Sequence, residues 1–147
     1  MKVLSAVLLT ISIIASSCDG KKTTSQTTSD EKVVVVTPQK ETLAVIDAAS
    51  FQNDLASKSD IQLVDVRTPA EYAESHLKGA INYSVTEPTF QEKVSQLDTN
   101  KPIYVYCKSG GRSGRASEQL KQFGFTEIRD LQGGITAWNA AKLPTEK

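Results

Sequence analysis

The chain has 147 residues, and its 17 Lys and Arg are balanced by 17 Asp and Glu, so its formal net charge is zero. This balance lacks the basic excess of a nucleic-acid-binding protein, and no nucleic-acid partner is expected. Length and composition predict one ordinary globular domain with accessory segments.

The first residues have the pattern of an export signal. Lys2 precedes an apolar stretch over residues 3–14, and small residues follow at 15–17. This pattern predicts a signal peptide over residues 1–17, which is too short for a comfortable transmembrane helix. Cys18 directly after the small residues resembles a bacterial lipobox, although Ala15 stands where leucine is usual. The resemblance implies a lipid on Cys18 and an exported lipoprotein anchored to a membrane, facing the periplasm or the cell exterior. Plain secretion with cleavage near Ser17 is the alternative.

A polar segment separates this signal from the rest of the chain. Residues 19–32 contain no apolar side chain, so residues 18–40 are predicted to be the lipidated N-terminus and a disordered tether. Val33–Val36 interrupts the tether, either as an edge strand or as an apolar piece of linker. The folded domain is predicted to cover residues 41–147.

Strands and helices are predicted to alternate along that domain. The apolar runs predict strands at 43–46, 61–66, 80–85, 103–107 and 127–131. Helices are predicted after Asp47, from Thr68 to about His76, over 90–97, after residue 107 up to Gly124, and after 133. The stretch "TPAE" at 68–71 is a capping box with proline at the first helical position. The alternation predicts a parallel sheet with helices on both faces, with ligands at the carboxyl ends of the strands.

The stretch "YCKSGGRSGR" at 106–115 follows one of these strands. Cys107 is the only cysteine outside the first 18 residues. A helix N-terminus beside a thiol, with N–H groups turned inward at Gly110 and Gly111, would stabilise a thiolate. Lys108 and Arg112 add positive charge. A buried structural thiol is the alternative interpretation.

Three stretches, "LVDVRTPAEYAESHLKGAIN", "YVYCKSGGRS" and "DLQGGITAW", resemble the signatures of the rhodanese family in order and spacing. The resemblance covers residues 43–144. It implies a five-stranded parallel sheet flanked by helices and a sulfurtransferase that carries sulfur as a persulfide on Cys107. The loop residues implied to bind the substrate are Lys108, Ser109, Gly110, Gly111, Arg112 and Ser113.

The resemblance also implies the partners. These are a small sulfur donor, thiosulfate or a persulfide, and a thiol or cyanide acceptor, with no cofactor. No metal site is expected, because the sequence has no cluster of histidines and cysteines. We expect a monomer.

Several other residues have a functional and a structural interpretation. Arg67, at the end of "VDVR", is predicted either to shape the substrate pocket or to pair with a carboxylate such as Glu71. His76, the sole histidine, is predicted to be structural and not a catalytic base. Trp138 is predicted to lie in the core, and Asp130 is predicted to cap a loop.

Two other functions remain open from the sequence. One is a phosphatase or arsenate reductase. Cell-cycle dual-specificity phosphatases share the rhodanese fold, but their loop has five residues between cysteine and arginine, whereas four separate Cys107 from Arg112. A sulfur carrier or a partner-binding module is the other possibility. The intact cysteine loop favours an enzyme over a non-catalytic module.

Overall fold

The computed structural model describes residues 42–147. Five strands and five helices alternate within these residues. They are β1 (Thr42–Ile46), α1 (Ala48–Ser57), β2 (Gln62–Asp65), α2 (Pro69–Glu74), β3 (Ile81–Asn82), α3 (Phe90–Val94), β4 (Ile103–Tyr106), α4 (Gly111–Gln122), β5 (Glu127–Leu131) and α5 (Gly134–Ala140). The strands form one sheet in the order β1-β5-β4-β2-β3, and every pairing is parallel. The predicted fold class is confirmed.

Local sequence signals set the starts of two helices. Asp47 caps α1 by accepting a hydrogen bond of 2.9 Å from the Ser50 N–H. Thr68 caps α2, and its hydroxyl oxygen accepts from the Glu71 N–H while the Glu71 carboxylate accepts from the Thr68 N–H, at 3.3 and 3.1 Å. The capping box read from "TPAE" is therefore present, and each bond satisfies an N–H that the helix leaves free.

Alternating residues of the central strand β4 divide the core between the two faces of the sheet. Ile103 and Val105 pack with α3 and α4 on one face, which we call the α4 face. Tyr104 and Tyr106 pack with α1 and α5 on the other. Because both faces are covered, β4 is buried along its whole length. Trp138 belongs to the second cluster and is 2% exposed, as predicted for a core residue.

Three elements are shorter than the sequence predicted. Strand β3 has two residues where the sequence predicted 80–85, and α2 ends at Glu74, before His76. At β3 the side-chain amide of Asn82 donates to the carbonyls of Asp65 and Arg67, at 3.0 and 2.9 Å. Backbone bonds between the two segments continue past β3, since the N–H groups of Tyr83 and Val85 donate to the carbonyls of Asp65 and Val66, at 3.0 and 3.2 Å. Helix α3 likewise ends at Val94, three residues earlier than predicted.

The predicted signal peptide, Cys18, the tether and Val33–Val36 lie outside the described residues. Within residues 42–147, none of the helices is both long enough and apolar enough to span a bilayer.

Candidate functional site

Cys107 follows the last residue of β4, at the carboxyl edge of the sheet. Strand β4 lies between β5 and β2, so the thiol lies near the middle of that edge. The residue is 1% exposed and is a free thiol. Its position matches the sequence prediction, because parallel sheets bind ligands where their strands end.

The loop after Cys107 turns back toward the sulfur at Gly110. Gly110 has φ 105°, in the left-handed region that favours glycine, and its N–H donates to the Cys107 Sγ at 3.1 Å. Gly111 already has ordinary helical geometry as the first residue of α4, and a Cβ placed there would have open space. The prediction that both glycines make the turn is therefore wrong for Gly111. Helix α4 begins one residue earlier than a two-glycine turn would allow.

Ser113, in the first turn of α4, supplies the second contact to the sulfur. Its Oγ lies 3.5 Å from the Cys107 Sγ and 3.0 Å from the Gly110 carbonyl oxygen. Burial by itself would raise the pKa of the Cys107 thiol. The Ser113 hydroxyl and the N–H groups of Ser113, Ser109 and Gly110 outweigh that effect, so the pKa is lowered. The cradle therefore stabilises a negative charge on sulfur.

Arg112 is tied to Glu71 and does not extend toward the thiol as a free cation. Its two terminal nitrogens donate to the two Glu71 carboxylate oxygens at 2.6 and 2.7 Å. The Arg112 guanidinium lowers the pKa of Glu71 to about 2. Because Glu71 also closes the capping box of α2, this bidentate pair fixes the start of α4 to the start of α2.

Arg67 is 5% exposed and pairs with the carboxylate of Asp65. It therefore pairs with a carboxylate, as one of the two predicted alternatives states, but Glu71 is the wrong partner. One terminal nitrogen of Arg67 lies 2.6 Å from the Asp65 carboxylate and 2.6 Å from the Ser75 carbonyl oxygen. Both carboxylate oxygens of Glu71 already accept hydrogen bonds from Arg112. Arg67 therefore braces the loop after β2 from inside the protein.

The N-terminus of α5 holds the cysteine loop from its other side. The N–H of Ile135 donates to the Cys107 carbonyl at 2.9 Å. The Thr136 N–H and hydroxyl both donate to the Lys108 carbonyl, at 3.1 and 2.8 Å. Gly134 lies so close that a Cβ there would overlap these two carbonyl groups. The sequence prediction noted "GGIT" as the start of a helix but missed its contacts with the loop. The available signal in the sequence was the pair of adjacent glycines, Gly133 and Gly134, both of which have a positive φ in the structure.

Lys108 and Ser109 are exposed on the outer side of the loop. The Lys108 ammonium forms no salt bridge with any residue in the described part of the chain. It is therefore available to an anion that approaches Cys107.

The sequence predicted that Asp130 caps a loop, but this residue lies in β5 and is only 4% exposed. Burial raises its pKa to about 6, and the Ser113 hydroxyl opposes that rise. Its Oδ1 has no hydrogen-bond partner among residues 42–147. Nothing in "EIRDL" indicated this burial, because three of the five residues of β5 are charged.

His76 lies away from the thiol and has structural contacts. Its ring stacks on Tyr72 with centroids 3.8 Å apart, and its Nε2 lies 3.6 Å from the Glu146 carboxylate. These contacts agree with the structural role predicted for it. No group of three or more residues able to hold a metal ion occurs within residues 42–147.

Comparison with known proteins gives concordant matches. The family model described as Rhodanese-like domain matches residues 47–141. A protein called Sulfurtransferase from Allochromatium vinosum is 35% identical over 99 residues, which cover 67% of this chain and 91% of that protein. The uncharacterized protein YqhL of Bacillus subtilis is 40% identical over 86 residues, covering 58% of this chain and 66% of YqhL. The crystal structure of a rhodanese-related protein from Thermoplasma volcanium superposes with a TM-score of 0.63 at 30% identity, covering 71% of this chain and 98% of that one.

Proposed function

Because the chain belongs to the rhodanese-like domain family, we propose that it is a sulfurtransferase that carries sulfane sulfur as a persulfide on Cys107. The observation that supports this most directly is the pair of donors aimed at one sulfur atom, the Gly110 N–H and the Ser113 hydroxyl. Donors held in advance around an atom that bears negative charge stabilise the anion without reorganising when it forms.

The proposed reaction has two displacements. In the first, the Cys107 thiolate attacks the outer sulfur of thiosulfate, the donor's S–S bond breaks, and sulfite leaves with the electron pair. In the second, a thiol or cyanide attacks the outer sulfur of the Cys107 persulfide, and the cysteine leaves as a thiolate. The sulfur on the protein is anionic before loading and after it, so the same donors serve both states.

Donor binding is assigned to the exposed side of the loop. Lys108 is a cation beside Cys107 that has no salt bridge with residues 42–147, whereas the charge of Arg112 is largely neutralised by Glu71. We therefore assign Lys108 and the N–H groups of Ser109 and Gly110 to the anionic donor. Arg112 and Arg67 hold the loop in place and do not bind the donor themselves.

A phosphatase or arsenate reductase is disfavoured by the same ion pair. Those reactions require a positive arginine facing a tetrahedral oxyanion, and both Arg112 terminal nitrogens already donate to Glu71. Parallel assays with p-nitrophenyl phosphate, arsenate and thiosulfate separate these activities from sulfurtransfer.

The cellular location is proposed from sequence alone. The apolar stretch at 3–14 and Cys18 support an exported lipoprotein, with the polar segment after Cys18 acting as a tether. Several acyl chains on one cysteine would make the anchor stable.

Mass spectrometry of the protein after incubation with thiosulfate tests the proposed function. We expect the peptide containing Cys107 to gain the mass of one sulfur atom and to lose it after cyanide is added. The Cys107→Ser variant should fold, gain no sulfur and show no thiosulfate:cyanide turnover. Sulfur transfer by a folded Cys107→Ser protein would refute the persulfide mechanism.

A further inference from the structure

The two peptide groups that follow Cys107 have their carbonyls turned toward helix α5. The Ile135 N–H donates to the Cys107 carbonyl at 2.9 Å. Thr136 donates twice to the Lys108 carbonyl, from its N–H at 3.1 Å and from its hydroxyl at 2.8 Å. Helix α5 packs in the core cluster on the face of the sheet opposite the α4 face. Both carbonyls therefore point to the side of the sheet that α5 covers.

The N–H groups of the same two peptides point the other way. A peptide group is planar and trans, so its N–H lies opposite its carbonyl. The N–H groups of Lys108 and Ser109 are therefore directed toward the side that α4 covers. The Cys107 side chain packs on that side, and the Gly110 N–H reaches its sulfur from the same loop at 3.1 Å. The contacts with α5 thus turn the donors of the loop toward the side on which the sulfur lies.

The Ser109 N–H is available to a negative charge at this place. Neither it nor the Lys108 N–H has a hydrogen-bond partner in the backbone of residues 42–147, and both residues are exposed. The Ser109 N–H also helps to lower the pKa of the Cys107 thiol. The donor on the peptide group that Thr136 holds is therefore one that stabilises the thiolate.

The Thr136 side chain gives the Lys108 carbonyl a second hydrogen bond. Two donors on one carbonyl oxygen restrict the rotation of its peptide group. They also polarise the group, which makes the N–H at its other end a stronger donor. Thr136 is not among the groups that donate to the Cys107 sulfur, which are the Gly110 N–H and the Ser113 hydroxyl. Any effect of its hydroxyl on the sulfur therefore passes through the peptide group.

We propose that Thr136 is a positioning residue for the sulfur anion, because its hydroxyl holds the Lys108 carbonyl so that the Ser109 N–H faces the charged sulfur on Cys107. In the free protein that sulfur is the thiolate Sγ. After loading it is the outer sulfur of the persulfide, and this second part rests on the proposed function, whereas the first does not. The Thr136 hydroxyl keeps its proton throughout.

The pH dependence of alkylation tests the proposal without using sulfur transfer. The rate at which iodoacetamide modifies Cys107 reports the thiolate, and mass spectrometry of the Cys107 peptide of the full chain measures it. Thr136→Val keeps the branched shape and the backbone N–H but removes the hydroxyl. Its profile should move to higher pH, with alkylation on the acid side slower by about threefold, in the range expected for one neutral hydrogen bond. The rate at high pH should not change, because access to the sulfur is unaltered.

Thr136→Val leaves the charged groups around Cys107 in place, so a shift of the profile reports the orientation of the loop. Among the described residues these groups are Lys108 in the loop, Arg112 paired with Glu71 of α2, Arg67 paired with Asp65 of β2, and the buried carboxyl of Asp130 in β5.

Two further variants separate the proposed role from a general loss of a hydroxyl. Thr136→Ser keeps a hydroxyl at the same position and should keep the wild-type profile. Ser57→Ala is the matched control, since it removes an exposed hydroxyl in α1 that donates to the Asn53 carbonyl at the same 2.8 Å. It should not move the profile. A Thr136→Val profile that superposes on the wild type would overturn the proposal, and so would an equal shift in Thr136→Ser.

Nuclear magnetic resonance of the isotope-labelled protein tests the direction of the N–H itself. The Ser109 amide signal of the wild type should shift as Cys107 ionises, and it should shift less in Thr136→Val. In Cys107→Ser it should stay in place. A Ser109 signal that ignores the ionisation of Cys107 contradicts the proposal.

The link to turnover is measured separately. The kcat/KM of Thr136→Val for thiosulfate should fall by about the same factor as its alkylation rate, about threefold. If alkylation and the Ser109 signal behave as expected but thiosulfate transfers no sulfur in the wild type, the proposed function fails and the role of Thr136 toward the thiolate stands. Normal transfer together with an unmoved alkylation profile would leave the proposed function intact and reject the role of Thr136.

Discussion

Gly134 packs directly against the carbonyl groups of Cys107 and Lys108. Its φ is 58°, and a Cβ built on it would lie 2.7 Å from the Lys108 carbonyl carbon, with the Cys107 oxygen closer still. These atoms are backbone, so they cannot rotate away as a flexible side chain would. The close approach lets the Ile135 N–H reach the Cys107 carbonyl at 2.9 Å. The α5 N-terminus thereby fixes the direction in which the cysteine loop faces.

Gly134→Ala is therefore expected to reduce both stability and sulfur transfer. The left-handed φ costs about 1–2 kcal/mol for a residue with a Cβ, and the overlap with backbone adds about 1–3 kcal/mol. Gly79→Ala is the control, since Gly79 has φ 77° but no atom lies within 4 Å of the position that a Cβ would take there. Gly79→Ala should lose only the stability that the left-handed φ costs, and it should keep normal thiosulfate turnover. Urea unfolding and thiosulfate assays measure both effects, and equal losses in the two variants would contradict the role of the contact.

Gly110→Ala should impair sulfur transfer more than Gly111→Ala. Gly110 has φ 105° and donates its N–H to the sulfur, whereas Gly111 has helical geometry and free space for a Cβ. We expect Gly110→Ala to lose at least about 1 kcal/mol of stability and most of its activity. Gly111→Ala should be close to wild type in both. Steady-state kinetics on the folded variants compares their activities. A larger loss of activity in Gly111→Ala than in Gly110→Ala would mean that the Gly110 turn does not form the cradle.

Glu71→Gln should weaken the fold in a pH-dependent way. The folded pKa of Glu71, about 2, lies below the ordinary value of 4.5, chiefly because of Arg112. A depressed carboxyl pKa stabilises the fold above about pH 4.5, and that contribution is lost as the pH falls toward 2. After allowance for partial exposure, we expect a difference of about 1–2 kcal/mol at neutral pH. Denaturant unfolding from pH 7 to pH 3 should show the two proteins converging at the acid end. Parallel curves would mean that the Glu71–Arg112 pair contributes little.

Lys108→Ala should raise the KM for thiosulfate with little change in kcat. Lys108 is exposed beside Cys107 and lacks a salt bridge among the described residues, so its charge acts on an approaching anion through solvent. Added salt screens such an interaction within about 10 Å at 0.1 M. The wild-type KM should therefore rise with salt more steeply than that of the variant. Lys142→Ala serves as a control for loss of one exposed charge elsewhere. The same salt response in the wild type and Lys108→Ala would exclude Lys108 from donor binding.

Cys18→Ser should move the protein out of the membrane fraction if Cys18 carries a lipid. The apolar stretch at 3–14 and the small residues before Cys18 motivate this expectation. Cells that express each form can be fractionated and the protein detected in the membrane and soluble pools. Equal membrane retention of both forms would mean that the apolar stretch, and not a lipid, holds the protein there.

The sequence predicted the parts of the molecule that neighbouring residues determine. The capping box of Thr68 and Glu71, the N-cap at Asp47 and the apolar strand that leads to Cys107 all depend on residues within a few positions of each other. The order and type of all ten elements followed from such signals and from the resemblance to a known family.

The remaining errors concern contacts between distant segments. The sequence suggests Glu71 as one carboxylate with which Arg67 could pair, but Arg112, 41 residues beyond Glu71, binds Glu71 through both of its terminal nitrogens. The sequence alone gives no reason to treat the adjacent glycines Gly110 and Gly111 differently. They differ in backbone conformation because α4 begins at Gly111. Asp130 is buried because α4 packs across β5, and the residues next to Asp130 in the sequence do not indicate that packing.

The sheet order has a consequence for how the chain acquires its structure during synthesis. Within residues 42–147, strand β1 pairs only with β5, so among these residues it has no partner strand until the last strand has left the ribosome. Until then Leu43 and Val45 of β1 have no partner strand in the part of the chain that the structure describes. Such long-range pairing closes slowly, because a large loop must be ordered before its contacts form. A ribosome paused before residue 131 would therefore hold a nascent chain with its cysteine loop complete in sequence but without the strand that supports it.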